Sequence, residues 1–420
     1  MHYDLTTLPN GLRVITEPMP SLRSVALGCW VDTGTRDENS NEAGVSHFLE
    51  HLLFKGSEEL SARQVNETLD AIGAESNAFT SKEATCYWTR LMDQDLPVGL
   101  DVLSEIIQRP AFRINEIDSE RQVVVEEINM NEDDPTDVVF ENFTTAVFAG
   151  HPLEEPVLGT RESIRSMTRD DIHGYWKRRY GAASMVVAAA GSVDHENMVA
   201  MVEERFGGWS GETVDHQHSV AGATPRVNLT RRETEQAHLV IGGPGMRRDD
   251  ERRWAFEVLS RVMGSGMSSR LFREVREERG LAYAIYAFKL AYADNGAWGV
   301  HVGTTPSQTD TALNVIREEL AKVVEDGITE EELDRAKGSM RGGLALSLED
   351  ANSRMVRLGR DELAGMPHYS VDERLEKLEG VDLDEVKRVA GEIYGAPTRM
   401  IGAVGPFDTD ELDAYLEPRL

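Results

Sequence analysis

Two stretches of this chain repeat each other at a fixed spacing, and that constrains the architecture before any single residue does. Residues 164–194 read IRSMTRDDIHGYWKRRYGAASMVVAAAGSVD, and residues 378–408 read LEGVDLDEVKRVAGEIYGAPTRMIGAVGPFD, a constant offset of 214. Each reads as a helix, a Tyr-Gly-Ala turn at Tyr180 or Tyr394, an apolar strand and a Gly-x-x-Asp exit. The starts of the two halves also correspond: SVALGCWVDTGTRDE from Ser24 resembles QAHLVIGGPGMRRDDERR from Gln236. Two related domains are expected, 1–210 and 228–420, as suits 420 residues, more than one compact core usually holds. Between them SGETVDHQHSVAGATPR is polar, Gly-rich and aperiodic, so 211–227 reads as a linker and His216 and His218 as solvated residues of it rather than metal ligands.

Within each half, alternating strand-like runs are mixed with long amphipathic helices, for example over 116–131 and 330–346. The order lacks regular βαβ alternation. An α+β fold is therefore expected, two homologous α/β-sandwich domains, each a mainly antiparallel sheet covered by helices on one face.

Composition narrows the function classes. With 74 acidic against 44 basic residues the net charge is −30, which argues against nucleic acid and against an anionic membrane. The acidic surface reads as a solvated coat; the sharper alternative is that part of it lines a substrate site and favours cationic peptides. No run reaches the ~18 apolar residues of a membrane span. The opening Met1-His2-Tyr3-Asp4-Leu5 has neither a signal-peptide nor a transit-peptide character. The two cysteines, Cys29 and Cys86, each sit in an apolar run and read as buried reduced thiols, pointing to the cytoplasm.

The chemistry concentrates in NEAGVSHFLEHLLFKG, where His47, Glu50 and His51 form His-x-x-Glu-His. Val45, Phe48, Leu49, Leu52 and Leu53 surround them at helical spacing, with capping residues upstream between Asp37 and Asn41. Two imidazoles at i and i+4 lie on one helix face about 5–6 Å apart and can reach one metal ion. They leave a divalent ion short of charge and ligands, so a carboxylate is wanted from elsewhere. The segment INEIDSERQVVVEEINMNEDD offers Glu120 and Glu127, two turns apart on one helix face. Two His and one Glu form a catalytic zinc set with an open position for water, whose pKa falls toward ~7. Glu50 then fits a general base, and Glu120 an acceptor that fixes the tautomer of a ligating His.

The competing reading is a partly buried helix whose histidines are mere neighbours. The duplication weighs against it. Aligned on the starts of the halves, Ala255, Val258 and Leu259 stand where the first half has His47, Glu50 and His51, and Ser339 to Ser347 holds no carboxylate. Packing alone does not demand the polar set, and the second domain is not a second zinc site.

These residues, with the opening NGLRVITEPMP, the ligand helix ERQVVVEEINM, GHPLEEPVLGT from Gly150 and GSGMSSRLFREVREERGLAYAIYA from Gly264, resemble the pitrilysin-like (inverted zincin, M16) metallopeptidases. The likeness is to short bacterial members related to mitochondrial processing peptidase, and it runs over nearly the whole chain. It implies His47, His51 and Glu127 as ligands of one Zn2+ per chain, Glu50 as general base and Glu120 as supporting acid. It also implies that Arg276 and Tyr283 grip the substrate, and that Asn77, Ala78 and Phe79 belong to an edge strand that pairs with peptide backbone. Taken without the family, Arg276 and Tyr283 read as a helix-end ion pair and a core tyrosine. Longer relatives enclose a chamber with four such domains, so two domains imply half a clamshell completed by a homodimer, or by a heterodimer with an inactive relative. The function implied is a zinc metalloendopeptidase of short or unfolded peptides. The alternatives are a non-catalytic assembly or scaffold subunit, and a metal-dependent hydrolase of a non-peptide substrate.

Overall fold

The computed structural model describes residues 3–214, 216, 218–222, 224–397 and 399–417. Positions 215, 217 and 223 of the linker, and the first two residues of the opening, lie outside them. Six strands, β1 (Asp4–Thr7), β2 (Arg13–Pro18), β3 (Ser24–Val31), β4 (Glu75–Thr80), β5 (Thr85–Met92) and β6 (Met185–Gly191), form one sheet in the order β1-β2-β6-β3-β5-β4. Five more, β7 (Arg226–Arg231), β8 (Ala237–Pro244), β9 (Ala282–Ala291), β10 (Gly296–Thr304) and β11 (Met400–Gly405), form a second in the order β7-β11-β8-β10-β9. Apart from β1 the two orders correspond strand for strand. Each sheet has one parallel pairing, β2 with β6 and β7 with β11, at the same place among antiparallel ones. The duplication is therefore one of topology, and the sheets are mixed but mainly antiparallel, as expected.

The helices include α1 (Val45–Leu53), α2 (Ile114–Asp133), α3 (Pro135–Val147), α4 (Arg253–Gly264) and α5 (Ala351–Leu363). The expected helices over 116–131 and 330–346 are observed as α2 and Glu330–Ser347. In the first sheet Met185, Val187 and Ala189 of β6 face a core shared with α1, α2 and the helices Leu96–Gln108, Arg169–Arg179 and His195–Phe206. The alternate residues Val186, Ala188 and Ala190 face the other way, into a core with Ala351, Met355 and Leu358 of α5. The second sheet repeats the pattern: Ile401 and Ala403 pack under α4, and Met400 and Val404 pack against Val139 and Phe143 of α3.

Here the structure differs from the one-faced sandwich read from the sequence. Each sheet carries helices on both faces, which is why β6 is a continuous apolar run rather than an alternating one. The helix on the second face comes from the other half of the sequence. The compact units are accordingly discontinuous. The first runs to Asn129 and adds the stretch from Glu155 into the linker and Leu344–Val371; the second takes Met130–Glu154, the chain from His218 to Gly343, and the part after Val371. The division into 1–210 and 228–420 thus misses two exchanged segments, which carry α3 and α5.

Close approach and buried charge seat α5 on its sheet. A Cβ added at Gly359 would lie 2.0 Å from Trp30 Nε1, so only glycine lets the helix come this near the indole. The buried Glu17 carboxylate of β2 accepts hydrogen bonds from Arg354 and, at 2.7 Å, from Arg357 Nη2.

Candidate metal centre and active site

Helix α1 starts at Gly44, whose φ of +85° is the left-handed conformation that glycine adopts at little cost. Glu38, within the stretch read as capping, closes this end: its carboxylate oxygens accept from the Gly44 and Ser46 amides, both at 2.7 Å. Burial pushes the Glu38 carboxyl up to about 8, although those amides and the Ser46 hydroxyl act to lower it. The apolar residues Val45, Phe48, Leu49, Leu52 and Leu53 all go into the core. That leaves His47, Glu50 and His51, each half-buried, on the remaining face.

Across from them α2 presents Glu120 and Glu127. His47 Nε2 and His51 Nε2 are 3.2 Å apart, and Glu127 Oε2 lies 3.6 Å from the first and 3.4 Å from the second. Donor atoms bound at ~2.0–2.2 Å in a tetrahedral zinc site sit roughly 3.3–3.6 Å from one another, so this triangle already has the dimensions of a zinc set. Among the described residues it is the one group of three His, Cys, Asp or Glu residues with ligand atoms this close.

Glu120, itself buried, accepts from His51 Nδ1 at 2.9 Å, which leaves the Nε2 lone pair facing Glu127 and His47. Lys55, one turn beyond the motif, bonds the other Glu120 oxygen at 2.6 Å. Burial disfavours the charge on Glu120, but His51 and Lys55 outweigh it and hold the carboxyl below its ordinary value. The same balance acts on His51, where burial lowers the pKa but Glu120, Glu127 and Glu50 together raise it. His47 goes the other way, down to about 4, through burial and then the neighbouring His51, so its imidazole is neutral and fit to be a ligand. Burial raises the Glu50 carboxyl, and Thr80 Oγ1 donates to Glu50 Oε2 at 2.5 Å. The sequence placed Lys55 near the end of the motif segment and Thr80 at the end of the edge-strand stretch, but gave neither a role toward Glu120 or Glu50.

Asn77, Ala78 and Phe79 lie in β4, which is the edge strand of its sheet. Asn77 is exposed and its Oδ1 accepts from the Ala78 amide at 2.8 Å, while Phe79 packs edge-on against Trp30 at 5.4 Å. Arg276 and Tyr283 come together in the second unit. Arg276 Nη1 donates to the Tyr283 carbonyl at 2.7 Å, and its guanidinium lies 4.6 Å from the ring centroid. Tyr283 is 77% exposed, so it is not the core tyrosine that the residues alone suggested. Ala255, Val258 and Leu259, the counterparts of the motif, are fully buried in α4.

Of the two linker histidines, His218 is exposed as expected, whereas His216 is not a solvated residue. His216 is clamped between Asp32, 3.1 Å from its Nε2, and Asp37, 2.8 Å from its Nδ1, and these partners raise its pKa to about 10. His218 lies 3.5 Å from Asp294, whose carboxylate also accepts from the Ser219 amide at 3.0 Å. His151, read as packing only, has its Nε2 within 3.2 Å of both the Ser219 carbonyl and Asn295 Nδ2. Polar in sequence, the linker is thus held at His216 by an ion pair and at Ser219 by an amide bond.

Comparison with known proteins adds to this geometry. Residues 13–161 match the family model described as Insulinase (Peptidase family M16), and residues 166–340 match that of the peptidase M16 inactive domain. An uncharacterized zinc protease of Streptomyces coelicolor is 42% identical over 409 residues, 96% of this chain and 89% of the relative. The chain belongs to the M16 peptidase family. Another such relative, an uncharacterized zinc protease of Mycobacterium tuberculosis, is 43% identical, with 93% of this chain and 91% of the relative covered. The M16 fold is also that of a crystallised protease from Helicobacter pylori, with a TM-score of 0.92 at 20% identity over 96% of this chain and 99% of that one. The part matched to the M16 peptidase model holds His47, Glu50, His51, Glu120 and Glu127. The part matched to the inactive domain holds the apolar counterparts, Arg276 and Tyr283.

Proposed function

We propose that this M16 protease is a zinc-dependent endopeptidase acting on short or unfolded peptides, with His47, His51 and Glu127 as the ligands of one zinc per chain. The observation that carries the reading is the 3.2–3.6 Å triangle of their donor atoms with Glu50 on the same helix. Zinc held there supplies a Lewis acid that polarises the scissile carbonyl and acidifies the attacking water. Glu50 takes the proton of that water and hands it to the leaving amine. Glu120, bonded to Lys55, keeps His51 in the tautomer that presents Nε2. The free edge of β4 around Asn77, Ala78 and Phe79 pairs with an extended peptide backbone, which favours unfolded segments over folded proteins.

Arg276 and the exposed Tyr283 offer a cation and a phenol to substrate carbonyls and the developing oxyanion. In this reading they serve the metal centre of a second copy, giving a homodimer with two sites; a heterodimer with an inactive relative is the alternative. Cys29 and Cys86, both free and buried, fit a reducing compartment such as the cytoplasm. Among the described residues no helix is long and apolar enough to cross a membrane.

The deciding experiment is cleavage of a mixed pool of unstructured peptides by wild type and Glu50→Gln, with bound zinc quantified in both. Cleavage lost in the variant while zinc is retained establishes Glu50 as the base. If neither protein cuts although both hold zinc, the chain acts as an assembly subunit or needs a partner. Turnover of non-peptide substrates alone would move the activity out of the peptidases.

A further inference from the structure

We propose that Thr80 is a positioning residue for the general base: its hydroxyl fixes the rotation of the Glu50 carboxylate, leaving one oxygen free to meet the attacking water. This rests on the metallopeptidase reading above. Side chains alternate along β4, so Ser76, Ala78 and Thr80 share a face while Phe79 points to the opposite core. Ala78 packs against the core that contains α1, which puts Thr80 on the side of the metal helix. There Thr80 Oγ1 donates to Glu50 Oε2 at 2.5 Å.

Among the described residues, this is the one hydrogen bond that the Glu50 carboxylate accepts. A glutamate on a helix face has several rotatable bonds, and nothing else ties its head group. The carboxylate is also half-buried, so solvent is a poor substitute for the hydroxyl. Oε2 is held and Oε1 is left unengaged, as a group that must receive a proton from a water in one fixed place requires. Thr80 is also the last residue of the edge strand. The strand proposed to receive substrate backbone thus ends on the residue that orients the base, which joins peptide alignment to the placement of Glu50.

The test compares full-length wild type, Thr80→Val and Thr80→Ser on one fluorogenic unstructured peptide. Zinc affinity, from competition with a chelator, and Tm are measured alongside. Valine keeps the branched shape and removes the hydroxyl; serine keeps the hydroxyl. The expected result is a fall in kcat of roughly 10- to 100-fold for Thr80→Val, with KM and zinc affinity within about twofold of wild type, and recovery of most of kcat in Thr80→Ser. Equal kcat in Thr80→Val and wild type overturns the proposal. So does a Thr80→Ser as slow as Thr80→Val, which makes the side chain a packing element, or a loss carried entirely by KM or by zinc affinity. A wild type that holds zinc but cleaves no peptide removes the homodimeric metallopeptidase reading and this one with it. An active wild type matched by Thr80→Val removes this one alone.

Discussion

At the scale of single residues, the candidate metal set is supported by a charge partner behind it, Glu120, which bonds His51 on the side away from the ligand triangle. Glu120 reads both His51 and Lys55, and its carboxylate is kept charged by them against the cost of burial. Glu120→Gln loses that charge while keeping the volume, and zinc affinity should fall about 10- to 100-fold, measured by competition with a chromogenic chelator. An unchanged affinity would mean that His51 needs no carboxylate behind it. His216 gives a prediction of opposite character. Its pKa is raised from 6.5 to about 10 by Asp32 and then Asp37, so the folded state holds the proton more tightly than the unfolded one. The stability it contributes is complete below about pH 6.5 and lost as the pH rises through about 10. The Tm difference between wild type and His216→Asn should therefore be widest near pH 6 and shrink steadily toward pH 10. A difference that grows with pH would refute the clamp.

At the scale of elements, α1 and α5 lie on opposite faces of the first sheet, and each has its own device. α1 is set by the Glu38 cap at one end and by five buried apolar residues along its length. α5 is set by the Glu17 ion pairs and by the bare backbone of Gly359 against Trp30. A methyl at Gly359 would overlap the indole, and neither backbone can retreat without opening the core around Met355 and Val186. Gly359→Ala should cost about 1–3 kcal/mol, seen as a lowered Tm, while zinc stoichiometry stays that of wild type because the metal set is on the other face. Full stability in this variant would show that α5 can lift off the sheet at no cost.

At the scale of the whole molecule, the exchanged helices make neither half of the sequence self-sufficient. A fragment ending in the linker keeps every residue of the metal set but lacks α5, leaving Ile15, Trp30, Val186 and Ala188 of the first sheet uncovered. Such a fragment should bind a hydrophobic dye strongly or aggregate, and adding the segment Leu344–Val371 back by fusion should suppress both. A fragment 1–210 that is monomeric, cooperative in melting and dye-silent would contradict this account.

Much of the protein was legible in the sequence. The spacing of His47, Glu50 and His51 fixes which side chains share a helix face, because helix geometry is local. The repeat at offset 214 fixes that the two sheets have corresponding strands, since similar sequences solve the same packing problem. Ala255, Val258 and Leu259, apolar where the motif is polar, already place the candidate metal set in one half. What the sequence did not determine is which pieces meet across hundreds of residues. From the sequence each sheet is covered on one face only; that β6 is buried on both, and that α5 buries the second, came from the tertiary structure. Nor does any local pattern foretell that Thr80 meets Glu50, that Lys55 meets Glu120, or that His216 of a polar linker meets Asp32 and Asp37. Those contacts depend on where whole elements come to rest, and burial and charge pairing decide that only once the sheet has assembled around them.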